Sequence, residues 1–129
     1  MDGANDTSTS DRALRILVVE DDALIQMLVC ETLMSMGHEI CAAAATEAEA
    51  VEAAARSLPD LMIVDAHLAK GSGVAAVERI LAERWTPHVF VSGASLPRES
   101  LHPFAVTLQK PFQDHDLARA MAKALASAR

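Results

Sequence analysis

Four short apolar runs in the sequence each end in a polar or charged residue. These residues are Glu20, Asp21 and Asp22 after the first run, Asp65 after the second, Ser92 after the third and Lys110 after the fourth. If the runs are parallel strands, their carboxyl ends meet at one edge of a sheet, which is where open α/β sheets bind ligands. Carboxylates, a hydroxyl and an amine at one edge are the groups that a cation-assisted reaction of a phosphoryl group requires.

Asp65 is the candidate acceptor of the phosphoryl group. An ionised carboxylate repels an anionic phosphoryl group, and a divalent cation that bridges the two sets of oxygens removes much of this repulsion. Mg²⁺ prefers oxygen ligands and usually takes one or two carboxylates together with water. Glu20 and Asp21 supply such carboxylates, and the backbone carbonyl near His67 offers a further oxygen.

Two more side chains complete the predicted site. Lys110 brings a positive charge that can pair with Asp65 or with a phosphoryl oxygen, and Ser92 can donate a hydrogen bond to that oxygen. Asp22 is instead predicted to cap the first helix, because aspartate is favoured at the residue before a helix begins.

The elements that position these residues follow from the periodicity of the chain. Apolar runs typical of buried strands alternate five times with helical segments, which predicts an α/β fold with a five-stranded parallel sheet and helices on both faces. Strands are predicted at residues 15–20, 39–43, 61–65, 88–92 and 105–109, and helices at residues 23–36, 46–56, 73–84, 96–101 and 114–126. The helix at 96–101 is short because Pro97 and Pro103 bracket it, and we expect this element to be mobile.

Length and composition limit the classes of function. The 129 residues fit one domain, 51% of them are hydrophobic, and the net charge of −7 with scattered cations opposes a nucleic-acid surface. No apolar run approaches the length of a membrane span, and the polar amino terminus lacks the pattern of a signal peptide. We therefore expect a cytoplasmic protein with a disordered tail at residues 1–12, a domain at residues 13–129, and two buried, reduced thiols, Cys30 and Cys41.

Four motifs of the chain resemble those of the receiver domain of bacterial two-component response regulators. They are ILVVEDD at residues 16–22, LMIVD at 61–65, VSG at 91–93 and KPF at 110–112. Each motif alone is weak, but the four occur in the family's order and spacing across residues 15–126. The resemblance implies the flavodoxin-like receiver fold with strand order 2-1-3-4-5.

The resemblance also implies roles for individual residues. Asp65 would accept a phosphoryl group from a phosphohistidine on a sensor histidine kinase or a histidine phosphotransfer protein. Asp21 would bind Mg²⁺ (or Mn²⁺) directly, Glu20 would bind it through water, and His67 would contribute its backbone carbonyl. Ser92 would be the switch hydroxyl.

The residues around the carboxyl end of the last strand carry a further expectation and one departure from the family. Lys110 would be the family's lysine, joined to Pro111 by a cis peptide bond, as X-Pro bonds permit. Many receivers carry an aromatic residue three positions before this lysine, where this chain has Thr107. Either Phe104 takes over that role from the start of the strand, or the switch is carried by Ser92 and the loop after it.

The leading functional hypothesis is a stand-alone receiver, because no output domain follows the last helix in the sequence. We expect it to be a monomer or a weak dimer. Such a domain would not be an enzyme in the usual sense, although it assists its own phosphorylation and dephosphorylation. It would bind a downstream protein when phosphorylated, or it would drain phosphate from a kinase in a relay.

Three alternatives compete with this hypothesis. The first is a phosphorylation-independent scaffold, which Thr107 favours and the complete set of acids and lysine opposes. The second is a hydrolase of small phosphate esters, which the sequence disfavours because it lacks an Asp-x-Asp motif after the first strand and room for a cap insertion. The third is a flavin carrier, which the sequence disfavours because no Ser/Thr/Gly-rich phosphate loop follows the first strand.

Overall fold

A parallel sheet of five strands forms the centre of the molecule, and the computed structural model describes residues 12–127. The strands are β1 (Arg15–Val19), β2 (Glu39–Ala44), β3 (Leu61–Asp65), β4 (His88–Ser92) and β5 (Val106–Gln109), and the α-helices are α1 (Ala23–Ser35), α2 (Glu47–Ser57), α3 (Gly73–Glu83) and α4 (Asp114–Ala126). The order β2-β1-β3-β4-β5 and the parallel pairing confirm the predicted topology. The predicted disordered tail lies outside the described residues except for Arg12, which is exposed.

Both faces of the sheet are buried, which explains why the strands read as continuous apolar runs rather than as alternating ones. Along β1, Leu17 and Val19 pack into a core with residues of α2 and α3, whereas Ile16 and Val18 pack into a second core with residues of α1 and α4. The buried residues of α2 are Ala50, Ala53 and Ala54, whose small side chains let this helix pack closely on the sheet.

Three helices begin at side-chain caps that the sequence pattern or the turn chemistry favours. Asp22 Oδ1 accepts a hydrogen bond from the Ile25 amide at 3.0 Å, which confirms the predicted cap of α1. Thr46 Oγ1 accepts one from the Glu49 amide at 3.1 Å at the start of α2. Ser72 caps α3. The cap of α1, Asp22, directly follows Asp21 of the predicted acidic site.

The predicted helix at residues 96–101 is wrong: this segment forms only a 3₁₀ turn over Arg98–Ser100, so the described residues contain four α-helices rather than five. Pro97 lacks a backbone donor, and Pro103 disfavours the helical conformation of the residue before it. The Arg98 guanidinium instead donates to the carbonyl oxygens of Ala105 at 2.9 Å and Pro103 at 3.0 Å. The Arg98 side chain therefore holds the segment after β4 in place, whereas an α-helix follows each of the other four strands.

Helix α1 is apolar on nearly all sides, yet only Leu33 is fully buried. Its exposed side chains include Leu24 at 60%, Leu28 at 51% and Met34 at 52% of their accessible surface. Met27 is also exposed. Met27 and Leu28 lie three and four positions after Leu24, and Met34 lies two helical turns after Met27, so the four residues form one stripe along the helix. We call Leu24, Met27, Leu28 and Met34 the α1 stripe.

No helix within residues 12–127 combines the length and the apolar character that crossing a membrane requires. Cys30 and Cys41 are free thiols, as expected, but both are only partly buried rather than buried as predicted. Desolvation raises the pKa of the Cys30 thiol, which keeps it protonated near neutral pH.

Candidate functional site

Three carboxylates converge at the carboxyl edge of the sheet. One oxygen from each of Glu20, Asp21 and Asp65 lies within 4.8 Å of the other two. The register explains this approach, because β1 and β3 are neighbours that pair Val19 with Val64. Glu20 and Asp21 follow Val19, and Asp65 follows Val64. Glu20 and Asp65 are buried, whereas Asp21 lies on the more solvent-exposed side. The structure thus brings the three predicted acids together.

Lys110 joins this cluster from the edge strand. Its Nζ lies 3.3 Å from Asp65 Oδ2 and 4.0 Å from Glu20 Oε1. The Lys110 amide donates to the Ser92 carbonyl oxygen at 2.8 Å, which holds the lysine beside the end of β4 so that its side chain extends across to β3. The Lys110–Pro111 peptide bond is cis, as predicted.

Burial and crowding of charge perturb the ionisation of the acids. The pKa of Glu20 is raised to about 7, chiefly by burial and also by the nearby Asp65 carboxyl, while the Asp22 amide and Lys110 act in the opposite direction. The pKa of Asp21 is lowered, chiefly because the Ala69 amide donates a hydrogen bond to its carboxylate. Near neutral pH, therefore, Glu20 carries a proton about half of the time, and that proton reduces the repulsion between the buried carboxyls.

The loop between β3 and α3, residues 66–72, contacts two of the three carboxylates through its backbone. The His67 amide donates to Asp65 Oδ1 at 2.9 Å, and the Ala69 amide donates to Asp21 Oδ2 at 2.7 Å. These bonds place His67 directly beside the candidate acceptor, with its side chain exposed. The role of its carbonyl as a cation ligand stays a prediction.

Ser92 ends β4 and is buried, with 3% of its surface accessible. Its strand pairs with β3 so that Val91 lies opposite Asp65, which places Ser92 at the same edge as the acids. Ser92 Oγ accepts a hydrogen bond from the Ala94 amide at 3.1 Å, and its hydroxyl donates to no acceptor among residues 12–127.

Thr107 is exposed on β5, where it pairs with Phe90 of β4. Phe104 precedes β5 and lies at the opposite, amino-terminal edge of the sheet, with its ring centroid 6.0 Å from that of Trp85 and 5.6 Å from that of His102. This position excludes Phe104 as a direct substitute for an aromatic residue beside Asp65.

Gly73 and Glu47 are two residues of the site that the sequence interpretation did not assign. A Cβ atom on Gly73 would collide with the backbone carbonyl of Asp65, so glycine lets α3 begin directly against the acceptor residue. Glu47 accepts a hydrogen bond from the Ser72 amide at 3.0 Å. No sequence signal separates Glu47 from an ordinary acid in the first turn of a helix.

Comparisons with known proteins agree with this architecture. A family model described as the response regulator receiver domain matches residues 16–122. The chain is 36% identical over 121 residues to the transcriptional regulatory protein PdtaR of Mycobacterium tuberculosis, covering 89% of this chain and 59% of PdtaR. It is 33% identical over 130 residues to the phyllosphere-induced regulator PhyR of Methylorubrum extorquens, covering 97% of this chain and 48% of PhyR. The chain therefore spans less than two thirds of the length of these relatives.

A solved structure supports the fold over nearly the whole chain. The solution NMR structure of the REC domain of the Erythrobacter litoralis PhyR response regulator superimposes with a TM-score of 0.75 at 32% sequence identity, covering 91% of this chain and 93% of that chain. The family model alone spans well over half of the residues. The chain belongs to the family of response regulator receiver domains, which serve signal transduction rather than classical enzymatic turnover.

Proposed function

We propose that this receiver domain accepts a phosphoryl group on Asp65 in a reaction assisted by Mg²⁺ or Mn²⁺. The observation that carries the proposal is the placement of Lys110 Nζ 3.3 Å from Asp65 Oδ2, within a cluster that also contains Glu20 and Asp21. A structural ion pair at the end of a strand needs one acid and one base, whereas this site gathers three acids around one lysine.

The donor set fits the proposed cation. All three side-chain ligands are carboxylates, which suit a hard cation such as Mg²⁺, and the cluster contains no sulfur or imidazole donor. Asp21, Asp65, Glu20 through water and the His67 carbonyl would hold the ion. When bound, the ion would neutralise charge on the carboxylates and on the incoming phosphoryl oxygens.

The chain's own residues prepare the acceptor. A carboxylate oxygen of Asp65 attacks phosphorus, a P–O bond forms, and the P–N bond to the donor histidine breaks with its electron pair left on the imidazole. The His67 amide holds Oδ1 and the Lys110 ammonium lies against Oδ2, so both oxygens of the nucleophile are fixed in position. Lys110 then pairs with charge on the transferred group.

The free hydroxyl proton of Ser92 is suited to report the new group. We infer that Ser92 donates to a phosphoryl oxygen once Asp65 is modified, and that this contact moves the loop after β4, where Ala94 is bonded to Ser92 Oγ at 3.1 Å. Thr107 is the other proposed switch position, but its small, exposed side chain sweeps little volume. The signal therefore leaves the site mainly through the loop after β4.

The phosphodonor that we propose is a sensor histidine kinase or a histidine phosphotransfer protein, and the phosphorylated domain would then bind a downstream protein or act as a phosphate sink. Support for a protein partner comes from the α1 stripe, which exposes large apolar side chains on a helix whose cap, Asp22, directly follows Asp21. Exposed apolar patches of this kind mark protein-binding surfaces. The stand-alone organisation stays a prediction.

The test is phosphorylation by acetyl phosphate in the presence and absence of Mg²⁺, read by intact mass. We expect labelling of the wild type only with the cation, no labelling of Asp65→Asn, and normal labelling of Asp114→Asn, a change at an exposed aspartate on α4. Equal labelling of wild type and Asp65→Asn would refute the assignment. A wild type that neither binds Mg²⁺ nor accepts phosphate would favour the phosphorylation-independent scaffold instead.

A further inference from the structure

Glu47, the first residue of α2, contacts the β3–α3 loop through its backbone and its side chain. Its Oε1 accepts a hydrogen bond from the Ser72 amide at 3.0 Å, and its amide donates to the Lys70 carbonyl oxygen at 3.2 Å. Its Oε2 pairs with Arg79 Nη1 of α3 at 3.2 Å. Helix α2 therefore holds both the loop and the first turns of the helix that follows it.

The far end of the same loop contacts the acidic cluster. Ser72 pairs with His67 in an isolated antiparallel bridge, and His67 is bonded through its amide to Asp65. The Ala69 amide, between these two positions, donates to Asp21 Oδ2. A displacement of Ser72 would therefore pass to His67 and to Asp21, two of the proposed ligands of the cation.

We propose that Glu47 is a positioning residue of the phosphorylation site, which holds the β3–α3 loop so that His67 and Asp21 are presented to the cation. This inference rests on the proposed function, because it assigns Glu47 to the cation site described above. Glu47 does not belong to the cluster of carboxylates that would hold the ion. It acts through the loop backbone.

The packing of Gly71 against Glu47 supports a fitted contact. Gly71 has a φ of +85°, in the region that favours glycine, and a Cβ atom there would lie 2.5 Å from Glu47 Cβ and 2.7 Å from Oε1. Only a glycine at position 71 therefore lets the loop approach Glu47 this closely.

Two contacts of the Glu47 carboxylate make unequal contributions. Its ion pair with Arg79 involves a side chain that is 54% exposed, and such pairs contribute little because water and salt screen them. The bond from the Ser72 amide lies in a partly buried position and fixes the loop directly. Glutamine at position 47 keeps an oxygen acceptor for Ser72, and alanine does not, so these two substitutions separate the contacts.

The experiment uses Glu47→Ala and Glu47→Gln, with Arg79→Gln to remove the ion pair alone and Glu52→Ala as an exposed control on the same helix. Amide hydrogen exchange at Ser72 and Ala69 is measured by NMR in metal-free protein, and Mg²⁺ binding is measured by calorimetry. For Glu47→Ala we expect exchange at Ser72 to accelerate about fivefold and the Mg²⁺ dissociation constant to rise by a similar factor, as the loss of one hydrogen bond predicts.

The other variants sharpen the result. Glu47→Gln, Arg79→Gln and Glu52→Ala should stay within about twofold of wild type in both measurements, and Glu47→Ala should reach a near-normal phosphorylation rate at saturating Mg²⁺. The inference is overturned if Glu47→Ala behaves like Glu52→Ala, or if Glu47→Gln loses as much as Glu47→Ala. Failure of the proposed function is recognised separately, since it appears as unlabelled wild type, whereas exchange at Ser72 reports on Glu47 without phosphate.

Discussion

Lys110 Nζ and Asp65 Oδ2 lie 3.3 Å apart although Asp65 ends β3, Lys110 follows β5, and β4 lies between these two strands. The lysine side chain is 33% exposed and spans the end of β4, while the carboxylate is almost fully buried. The ammonium group is therefore the positive charge that compensates two buried carboxyls, because it also lies 4.0 Å from Glu20.

Replacing Lys110 by methionine should destabilise the metal-free protein in a pH-dependent manner. At about pH 8, above the pKa of about 7 for Glu20, the Glu20 carboxyl of the wild type is mostly ionised, and the substitution removes its counter-charge. We expect the free energy of unfolding to fall by about 1–2 kcal/mol, between the values for exposed and buried pairs, because the lysine is partly exposed. At about pH 6, where Glu20 is mostly protonated, the loss should be smaller.

Urea denaturation at both pH values measures this difference, and addition of Mg²⁺ at the higher pH should restore much of the lost stability, since the ion replaces the missing positive charge. Equal losses at the two pH values would contradict the placement of Lys110 between two ionisable carboxyls.

Mg²⁺ affinity should fall as the pH is lowered through about 7, the pKa to which burial raises Glu20. A protonated carboxyl offers the ion no negative charge, so cation binding must release the Glu20 proton. Between about pH 8 and pH 6 the ionised fraction drops roughly tenfold, and the dissociation constant should rise by up to that factor. Calorimetry in buffers of different ionisation enthalpy also counts the released proton.

The control for this titration is Glu20→Gln, which cannot ionise. It should bind Mg²⁺ more weakly than wild type at the higher pH and show a flatter pH dependence. If wild type and Glu20→Gln titrate in parallel, another group governs the effect.

Alanine at Gly73 should destabilise the fold and slow phosphorylation. The added Cβ would collide with the Asp65 carbonyl and lie 2.9 Å from Val64 Cγ1, so the start of α3 must move away from the acceptor strand. Overpacking of this kind costs about 1–3 kcal/mol. Thermal unfolding and the rate of labelling by acetyl phosphate are the measurements.

Gly93→Ala provides the matched comparison, because a Cβ at Gly93 meets nothing within 4 Å and its φ is not positive. This variant lies at the same edge of the sheet and should stay within about 0.5 kcal/mol of wild type. Similar losses in the two variants would show that steric contact with Asp65 is not the cause.

His88 should make the protein sensitive to mild acid. The ring is fully buried, its Nδ1 lies 2.9 Å from the Thr86 carbonyl oxygen, and its Nε2 has no hydrogen-bond partner among the described residues. Burial lowers the pKa of His88 below its ordinary value of 6.5, and the neighbouring His102 lowers it further. Below pH 6.5 the unfolded chain binds a proton that the folded chain does not, so stability present above this pH is lost as the pH falls.

The variant His88→Phe retains a ring of similar size and removes the titrating group. Its free energy of unfolding should decline less than that of wild type between about pH 7 and pH 5, as measured by urea denaturation. His38, whose pKa is also lowered by burial, remains in both proteins, so the difference isolates His88. Parallel declines would exclude His88 as the source.

The parts of the site that could be predicted from sequence are those that depend on strands buried on both faces. β3 and β4 begin and end as predicted, because a short, continuous apolar run is typical of a strand that is buried on both faces. Parallel pairing of the two strands then brings Asp65 and Ser92 to one edge of the sheet. The meeting of Lys110 with Asp65 followed from the same logic together with the family resemblance.

The parts that could not be predicted depend on contacts between residues far apart in sequence. Arg98 replaces a helix by bonding to carbonyl groups of the chain that returns to β5, and nothing in the local pattern distinguishes it from a surface arginine. Glu47 reaches a loop 25 positions further along the chain. The apolar spacing of α1 predicted the helix correctly, but it did not show which of its sides is left uncovered.

Trp85 is the single tryptophan of the chain, and its ring lies against that of His102 at the amino-terminal edge of the sheet, with a centroid distance of 4.8 Å and a tilt of 42°. Asp65 lies at the other edge, separated by the length of β4, roughly 17 Å for five residues. An ion bound among the carboxylates is too distant to quench the indole by contact. A change in tryptophan fluorescence on phosphorylation would therefore show that a structural rearrangement extends from the carboxyl edge of the sheet to its amino-terminal edge.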